Sequence, residues 1–169
     1  MIEKGYLINK KVLFIDLDDT IIKTISGNTF PTDVTDFKIR KDVLDKIVEI
    51  FPTLYYVEIV SNQGGIPQFV DEQDFIGKIK AIESFMQKYL RNHTGRHIFV
   101  NSTYCSSNAE ICMRKPNTGM LAIYSSWKKS DLIMIGDASG KEGNFSDSDK
   151  RCAENFGIEY IDVEDFLNM

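Results

Sequence analysis

The sequence predicts an α/β protein, a doubly wound parallel sheet with helices on both of its faces. Short apolar runs typical of buried strands alternate along the chain with amphipathic segments typical of helices. Polar residues directly follow several of these runs, at the edge where open sheets of this kind bind ligands. No internal repeat or linker interrupts the chain, so we expect residues 1–169 to form a single domain.

The composition narrows the class of protein. Hydrophobic residues make up 43% of the chain and charged residues 27%, as in globular domains, and no apolar run is long enough to span a bilayer. The first residues lack the apolar core of a secretory signal. We therefore expect an intracellular monomer, in the nucleus, the cytoplasm or a viral factory, with no membrane partner. The net charge of −5 disfavours a broad nucleic-acid surface but allows a small basic rim.

The first strand is predicted at Val12–Ile15, where four apolar residues stand in a row. Asp16, Asp18 and Asp19 follow it, with Thr20 behind them. Carboxylates this close together raise each other's pKa values unless a cation compensates them. Carboxylate oxygens suit Mg²⁺, which also leaves room for a phosphate. The stretch therefore predicts a divalent metal ion at the end of the first strand.

The later elements follow from periodicity and from helix and strand boundaries. Between residues 21 and 39, Gly27-Asn28 predicts a small hairpin over the aspartates, as a connecting loop or as a flap. Helices are predicted at Arg40–Phe51, Asp71–Leu90, Gly119–Trp127, Asp147–Phe156 and Val163–Leu167. Strands are predicted at Leu54–Val60, His97–Val100, Leu132–Asp137 and Ile158–Ile161, and residues 101–113 are expected to be irregular.

Polar residues at or near these strand ends occur in a fixed order: Asp16-x-Asp18-x-Thr20, Ser61, Lys115 and Asp137. This order resembles that of the haloacid-dehalogenase-like phosphatases. The resemblance implies that Asp16 is the nucleophile and that Asp18 is the general acid and base. It implies Mg²⁺ held by Asp16, Asp137 and the backbone carbonyl of Asp18. Ser61 and Lys115 would bind the phosphate.

A closer resemblance covers nearly the whole chain, and it is to the 3′-phosphatase domain of polynucleotide kinase-phosphatases. The most specific matching segments are Ser61-Asn62-Gln63-Gly64-Gly65-Ile66 and Arg114-Lys115-Pro116-Asn117-Thr118-Gly119-Met120. The resemblance implies removal of 3′-phosphates from DNA ends through an aspartyl-phosphate, as in DNA end repair. The implied substrate contacts are Thr20, Ser61, Asn62, Gln63, Arg114, Lys115 and Lys141. The spacing of the motifs leaves no room for a large cap domain.

The sequence departs from the family pattern at four positions. Asp19 stands where the family has glycine, Ser61 where it has threonine, Lys141 where it has arginine, and Asn144 where it has aspartate. Because Asn144 carries no charge, Asp149 is the better candidate for the second acid of that loop. The kinase and phosphopeptide-binding parts common in the family have no counterpart in this sequence, so we expect a stand-alone phosphatase.

Two other functions fit the same residues. A small-molecule phosphatase of the same superfamily would act on a sugar or histidinol phosphate, and a binding module could keep the fold without catalysis. The complete set of acids argues against the binding module. Arg114, Lys128, Lys129 and Lys141 are candidate contacts for a DNA backbone, although Lys128 and Lys129 fit a solvated surface equally well.

Overall fold

The computed structural model describes residues 4–169, which form seven strands and five α-helices. The strands are β1 (Val12–Ile15), β2 (Ile22–Lys23), β3 (Lys38–Ile39), β4 (Tyr56–Gln63), β5 (Phe99–Ser106), β6 (Leu132–Gly136) and β7 (Glu159–Asp162). The helices are α1 (Lys4–Leu7), α2 (Lys41–Ile50), α3 (Glu72–Thr94), α4 (Ser148–Phe156) and α5 (Val163–Leu167). Short 3₁₀ helices between β5 and β6 span Ile111–Met113, Gly119–Tyr124 and Lys129–Asp131.

Five of the strands form one parallel sheet in the order β5-β4-β1-β6-β7. In the central strand β1, Val12 lies opposite Tyr56 of β4 on one side and Leu132 of β6 on the other. Every residue of β1 and β6 is buried, which is why both appear in the sequence as unbroken apolar runs. Because the strands are parallel, their carboxyl ends share one edge of the sheet.

Both faces of the sheet are covered, so the predicted doubly wound architecture is confirmed. One face packs against α2, α3 and α5 in an apolar cluster that contains Leu13, Ile59 and Ile135. The other face packs against α4 and the 3₁₀ helix Gly119–Tyr124. On that face the ring of Phe14 meets the ring of Tyr124 edge-on, with 5.4 Å between centroids.

The predicted helix at Gly119–Trp127 is wrong, because only a 3₁₀ helix at Gly119–Tyr124 forms there. Its backbone makes separate three-residue turns, with Leu121 N–H donating to Thr118 and Ser125 N–H to Ala122. The predicted end of the third strand is also wrong. β5 runs to Ser106 because it pairs with β4 along its whole length, and as an edge strand it carries polar residues.

The small hairpin predicted between residues 21 and 39 forms as a short antiparallel ribbon of β2 and β3, but it has no tight turn at Gly27-Asn28, because residues 24–37 form a longer loop. Asp36 organises this loop, which we call the flap loop. Its carboxylate accepts hydrogen bonds from the backbone N–H groups of Ile25, Ser26 and Thr32 and from the hydroxyls of Ser26 and Thr32.

Within residues 4–169, no separate cap domain is inserted into the sheet. The segment from β1 to β4 holds the ribbon and α2, and the segment from β4 to Lys115 holds α3, β5 and one short 3₁₀ helix. The described segments between the motifs therefore hold no further unit that could cover the carboxyl edge of the sheet as a cap domain. Among the same residues, no helix combines the length and the apolar character that crossing a membrane requires.

Candidate active site

The predicted site residues meet at the carboxyl edge of the sheet. Asp16 directly follows β1, Asp137 directly follows β6, and Ser61 lies near the end of β4. Lys115 comes from the connection between β5 and β6, and Asp149 from the first turn of α4. The three strands involved are paired on both sides, so they hold their end residues in fixed positions.

Lys115 is the buried cation of this site, with 4% of its surface exposed. Its Nζ donates to Asp16 Oδ1 at 2.5 Å and to the backbone carbonyl of Val60 at 2.7 Å. The same ammonium lies 2.7 Å from Asp149 Oδ1. One lysine therefore links a carboxylate at the end of β1 to a carboxylate on α4.

Burial and crowding shift the pKa values of these groups. Burial raises the pKa of Asp16 well above its ordinary value, against the opposing effect of Lys115, and the neighbouring carboxylates raise it further. Burial and the charges of Asp149 and Asp19 raise the pKa of Asp137 to about 6. Burial alone would lower the pKa of Lys115, but Asp16 and Asp149 outweigh it and raise that pKa. The site thus holds more negative charge than one lysine compensates.

Asp16, Asp137 and Asp149 each place a carboxylate oxygen within 4.8 Å of the other two, and no other group of three potential metal ligands occurs in residues 4–169. Three carboxylates and the Lys115 ammonium leave a net charge of −2 (−3 plus +1). A divalent cation would balance this charge and remove the repulsion that raises the pKa values. Carboxylate oxygens are the ligands that hard divalent cations take. The residues present therefore fit a divalent metal ion.

Asp149 lies deep in this group, with 1% of its surface exposed. Its Oδ1 contacts Lys115, and its Oδ2 accepts from the backbone N–H of Ala138 at 3.2 Å. Gly136 leaves the space for it, because a Cβ at that position would stand 2.2 Å from Asp149 Oδ2. Since both oxygens of Asp149 have partners, this carboxylate is suited to orienting Lys115 behind the other two acids.

Gln63 connects two of the predicted catalytic residues. Its Nε2 donates to Asp18 Oδ2 at 2.7 Å and to Ser61 Oγ at 2.8 Å. Asp18 is half-buried, and Ser61 is almost fully buried. The sequence predicted Gln63 as a substrate contact, and in the structure its amide orients the predicted acid and the predicted phosphate-binding hydroxyl.

Asn62 holds the backbone of Lys115. Its Oδ1 accepts from the Lys115 N–H at 3.0 Å, and its Nδ2 donates to the Lys115 carbonyl at 3.0 Å. Both ends of the amide are thus used within the protein. Asn62 was predicted as a substrate contact, and in the structure its amide positions the backbone of the lysine.

Thr20 and Asp19 complete the turn after β1. Thr20 is fully buried, and its hydroxyl donates to Asp137 Oδ1 at 3.4 Å. Asp19 has a φ of 57°, in the left-handed region that favours glycine, and its carbonyl accepts from Arg40 at 3.0 Å. The family's glycine at this position therefore has a conformational reason, and aspartate is among the few other residues that tolerate it.

Asn144, another departure from the family pattern, serves the loop after β6. Its Oδ1 accepts from the Ser139 hydroxyl at 2.7 Å and from the backbone N–H of Lys141 at 2.8 Å. Neither contact involves the acid group. The structure thus brings Asp149, and not Asn144, together with Asp16 and Asp137.

The predicted basic contacts fall in three different environments. The Arg114 guanidinium lies along Gly64, 3.3 Å from where a Cβ would stand, and among the described residues it has no ion-pair partner. Lys141 pairs instead with the carboxylates of two residues near the end of the sheet, Asp162 at 3.1 Å and Asp165 at 2.7 Å. Lys128 and Lys129 precede β6 and therefore lie at the opposite, amino edge of the sheet.

Nothing in the sequence pattern singles out Lys78. It lies on α3, is half-buried, and its ammonium stands 5.0 Å from the ring centroid of Phe37 at the base of the flap loop. In the sequence it looks like an ordinary charge on an amphipathic helix. Only the packing of α3 against the flap loop distinguishes it from the exposed lysines nearby.

This sheet, with an aspartate after its central strand and a buried lysine beside a group of acids, is the arrangement that the resemblance to haloacid-dehalogenase-like phosphatases predicted. A solved structure supports the fold: the D,D-heptose 1,7-bisphosphate phosphatase of B. bronchiseptica, complexed with magnesium and phosphate, aligns with a TM-score of 0.60. The alignment covers 89% of this chain and 78% of that chain at 18% sequence identity, so the likeness is one of fold.

The chain belongs to the polynucleotide kinase 3 phosphatase family, whose model matches residues 11–167. The bifunctional polynucleotide phosphatase/kinase of Schizosaccharomyces pombe is 30% identical over 168 residues, covering 94% of this chain and 38% of that protein. The polynucleotide 3′-phosphatase of Saccharomyces cerevisiae is 28% identical over 208 residues, covering 93% of this chain and 87% of that protein. The chain thus spans less than half of the first relative and most of the second.

Proposed function

We propose that this chain is a polynucleotide 3′-phosphatase that hydrolyses the phosphate at a DNA 3′ end. One observation supports this most strongly: the Asp16 carboxylate lies 2.5 Å from the buried Lys115 ammonium, within an acid group that fits a divalent metal ion. The family gives the substrate class, since both relatives above are named for polynucleotide phosphatase activity.

Asp16 is the proposed nucleophile. One of its carboxylate oxygens attacks phosphorus in line, the bond from phosphorus to the 3′-oxygen breaks, and an aspartyl-phosphate forms. Asp18 gives its proton to the departing 3′-oxygen. In the second half of the reaction, Asp18 takes a proton from water as the water oxygen attacks phosphorus, which releases phosphate and restores the Asp16 carboxylate.

The other residues hold and neutralise the phosphate. Lys115 supplies a positive charge next to the attacking oxygen, and Ser61 offers a hydroxyl whose orientation Gln63 fixes. The proposed metal ion is Mg²⁺, which Asp16, Asp137 and the backbone carbonyl of Asp18 would hold. When bound, it would offset the repulsion between a carboxylate nucleophile and a phosphate dianion.

The open edge of the sheet suits a polymer end. Within residues 4–169 no cap domain covers the acid group, and the loops around it leave the unpaired guanidinium of Arg114 beside Gly64. A closed site would exclude a nucleotide chain, whereas an open one admits its terminus. This openness favours a polynucleotide over the small-molecule substrates that the fold also serves.

A substrate panel tests the proposal. Turnover is measured on a DNA oligonucleotide with a 3′-phosphate, the same oligonucleotide with a 5′-phosphate, a sugar phosphate, histidinol phosphate and p-nitrophenyl phosphate. We expect the highest kcat/KM on the 3′-phosphorylated oligonucleotide, with a 3′-hydroxyl as product. A higher kcat/KM on the sugar or histidinol phosphate would instead identify a small-molecule phosphatase, and no turnover on any substrate would identify a binding module.

Metal removal tests the proposed cofactor on the same substrates. We expect EDTA to abolish turnover and Mg²⁺ to restore it, with Ca²⁺ a poor substitute because it accepts looser geometry. Mg²⁺ should also raise the melting temperature of the wild-type protein and not that of Asp137→Ala, because a bound ion stabilises only the folded state that holds it. Full activity in EDTA would rule the metal out.

A further inference from the structure

We propose that Lys78 is a specificity-determining contact for the phosphodiester that precedes the terminal nucleotide of the substrate. The inference rests on the proposed polynucleotide phosphatase function and deepens it. Lys78 would let the enzyme distinguish a nucleotide chain, which carries that second phosphate, from a small phosphate ester, which does not.

The backbone places Lys78 on the correct side of the molecule. α3 follows β4, so it begins at the carboxyl edge of the sheet, where Asp16 and Ser61 lie. Lys78 is the seventh residue of α3, counted from Glu72, about 9 Å along the helix axis from its start. The amino-terminal part of this helix therefore borders the candidate active site.

Packing fixes the ammonium of Lys78 at the base of the flap loop. It stands 5.0 Å from the centroid of the Phe37 ring, and Phe37 directly precedes β3. β3 pairs with β2, and Ile22 of β2 forms a bridge with Asp18. Lys78 thus contacts the segment that is joined to the proposed acid, and the face of the Phe37 ring attracts its ammonium.

The ammonium of Lys78 has no ion-pair or hydrogen-bond partner within the described residues. Asp36, one of the nearby acids, is fully used by the donors of the flap loop, and Asp18 accepts from Gln63. Burial lowers the pKa of Lys78, while the charges of Asp18 and Asp36 act in the opposite direction. Lys78 is therefore a half-buried cation that lies near the negative charges of Asp18 and Asp36 but contacts neither carboxylate. Such a cation is suited to binding an incoming anion.

The other basic side chains near the site do not share this position. Lys115 is bound to Asp16 and Asp149, and Lys141 is bound to Asp162 and Asp165. Arg114 is unpaired, but it lies along Gly64 in the loop after β4. Of these side chains, Arg114 beside the β4 loop and Lys78 beside the flap loop have no ion-pair partner within the described residues.

Substrates that differ only in the second phosphate provide the test. We compare wild type, Lys78→Gln and Lys78→Arg on a 3′-phosphorylated oligonucleotide and on p-nitrophenyl phosphate. The matched control is Lys80→Gln, which makes the same change two residues away at a lysine that pairs with Glu83 and is 67% exposed. In Lys78→Gln the ratio of kcat/KM on the oligonucleotide to that on p-nitrophenyl phosphate should fall about tenfold, mainly through KM. Lys78→Arg should restore the ratio, and Lys80→Gln should leave it unchanged.

A substrate with a neutral linkage in place of one phosphodiester identifies the phosphate that Lys78 contacts. An oligonucleotide with a methylphosphonate in place of the last internucleotide phosphodiester should lose about as much kcat/KM with wild type as Lys78→Gln does. With Lys78→Gln, this oligonucleotide should show no further loss of kcat/KM. The slope of log kcat/KM against log salt concentration should also become shallower by a little under one unit in Lys78→Gln.

The two proposals fail in different ways. A wild-type enzyme with no preference for the 3′-phosphorylated oligonucleotide overturns both, and it does so without any variant. A wild-type enzyme that shows the preference, together with an unchanged ratio in Lys78→Gln, overturns only the role of Lys78. Equal losses on both substrates would also overturn it, because Lys78 would then act on the chemistry at Asp18. Additive losses from the variant and the methylphosphonate would show that another residue binds that phosphate.

Discussion

Asp16 and Asp36 lie in two regions of the molecule and have equal exposure, 7% each. Asp16 ends the central strand, where burial raises the pKa of its carboxyl well above the ordinary value. Asp36 holds the flap loop, where hydrogen bonds from Ser26, Thr32 and Ile25 lower the pKa of its carboxyl well below that value. The difference lies in the donors: a buried carboxylate with many neutral donors is satisfied, and one with few requires a cation.

The comparison is tested by replacing each of these aspartates by asparagine, and the largest expected effect is the loss of turnover in Asp16→Asn. Asp16→Asn should lower turnover by at least about 10⁴-fold, because the amide cannot attack phosphorus. Its fold should persist, since Lys115 keeps its contacts with Val60 and Asp149. Turnover on a 3′-phosphorylated oligonucleotide and thermal unfolding measure the two effects.

Asp36→Asn is the matched control for that variant. It makes the same small change, and we expect the opposite result: activity within tenfold of wild type and a lower melting temperature, because an amide nitrogen cannot accept the donors of the flap loop. If Asp16→Asn kept near wild-type turnover, the covalent mechanism would be wrong.

Gly136→Ala tests the packing behind the acid group. The new Cβ would stand 2.2 Å from Asp149 Oδ2, so Asp149 must move away from Lys115 and Ala138. We expect a loss of about 1–3 kcal/mol of stability, as for other overpacked sites, and a clear fall in turnover. Gly77→Ala on α3 is the control, because nothing lies within 4 Å of its Cβ position. It should stabilise the protein by about 0.5–1 kcal/mol. Equal melting temperatures for the two variants would contradict the close approach.

The two regions should also respond to pH in opposite directions in the metal-free protein. The folded pKa of Asp137 is raised from 3.8 to about 6, so its contribution to stability is present below pH 3.8 and is lost as the pH rises towards 6. The folded pKa of Asp36 is lowered from 3.8, so its contribution is present above pH 3.8 and is lost as the pH falls below it.

Urea unfolding between pH 3 and 7, with EDTA present, measures these contributions. The free energy of unfolding of wild type relative to Asp137→Asn should decrease between pH 4 and 6. Relative to Asp36→Asn, it should decrease as the pH is lowered from 4 to 3. If the two difference curves had the same slope, hydrogen-bond donors would not explain the difference between the environments of Asp137 and Asp36.

The smallest effect is expected at a third aspartate, Asp19, which is exposed. Its φ of 57° costs a non-glycine residue about 1 kcal/mol, so Asp19→Gly should keep its turnover and leave the melting temperature equal or slightly higher. Asp19→Val places a β-branched residue in the same conformation and should lower the melting temperature. A destabilised glycine variant would mean that the Asp19 carboxylate itself makes a contribution to the fold.

The sequence predicted those parts of the site that local pattern determines. Asp16 and Asp137 follow uninterrupted apolar runs, so the pairing of their strands brings them together whatever path the loops take. Asp149 was also predictable, because Asn144 could not supply the charge. The roles of Asn62 and Gln63 were not, because an amide beside a strand end looks the same whether it faces a substrate or the backbone of a residue 53 positions away.

The same limit explains the errors in the fold. β5 is an edge strand, so its outward residues are polar and its apolar run stops at Val100 although the pairing continues to Ser106. The flap loop depends on a single carboxylate, Asp36, which no periodicity reveals. Lys78 has the helical spacing of a solvated side chain, and only its tertiary contact with Phe37 sets it apart.

The two hydrogen bonds between Asn62 and Lys115 have a consequence for insertions and deletions. They join the end of β4 directly to the lysine, so the position of Lys115 does not depend on the length of the chain that runs between them. Residues added at the exposed turn around Gly95, or in the loop at Ser107–Asn108, should therefore be tolerated without moving the ammonium, because lengthening a surface loop costs little closure entropy. Proteins that share this pair of bonds can differ widely in size between the two motifs and keep the same reaction centre.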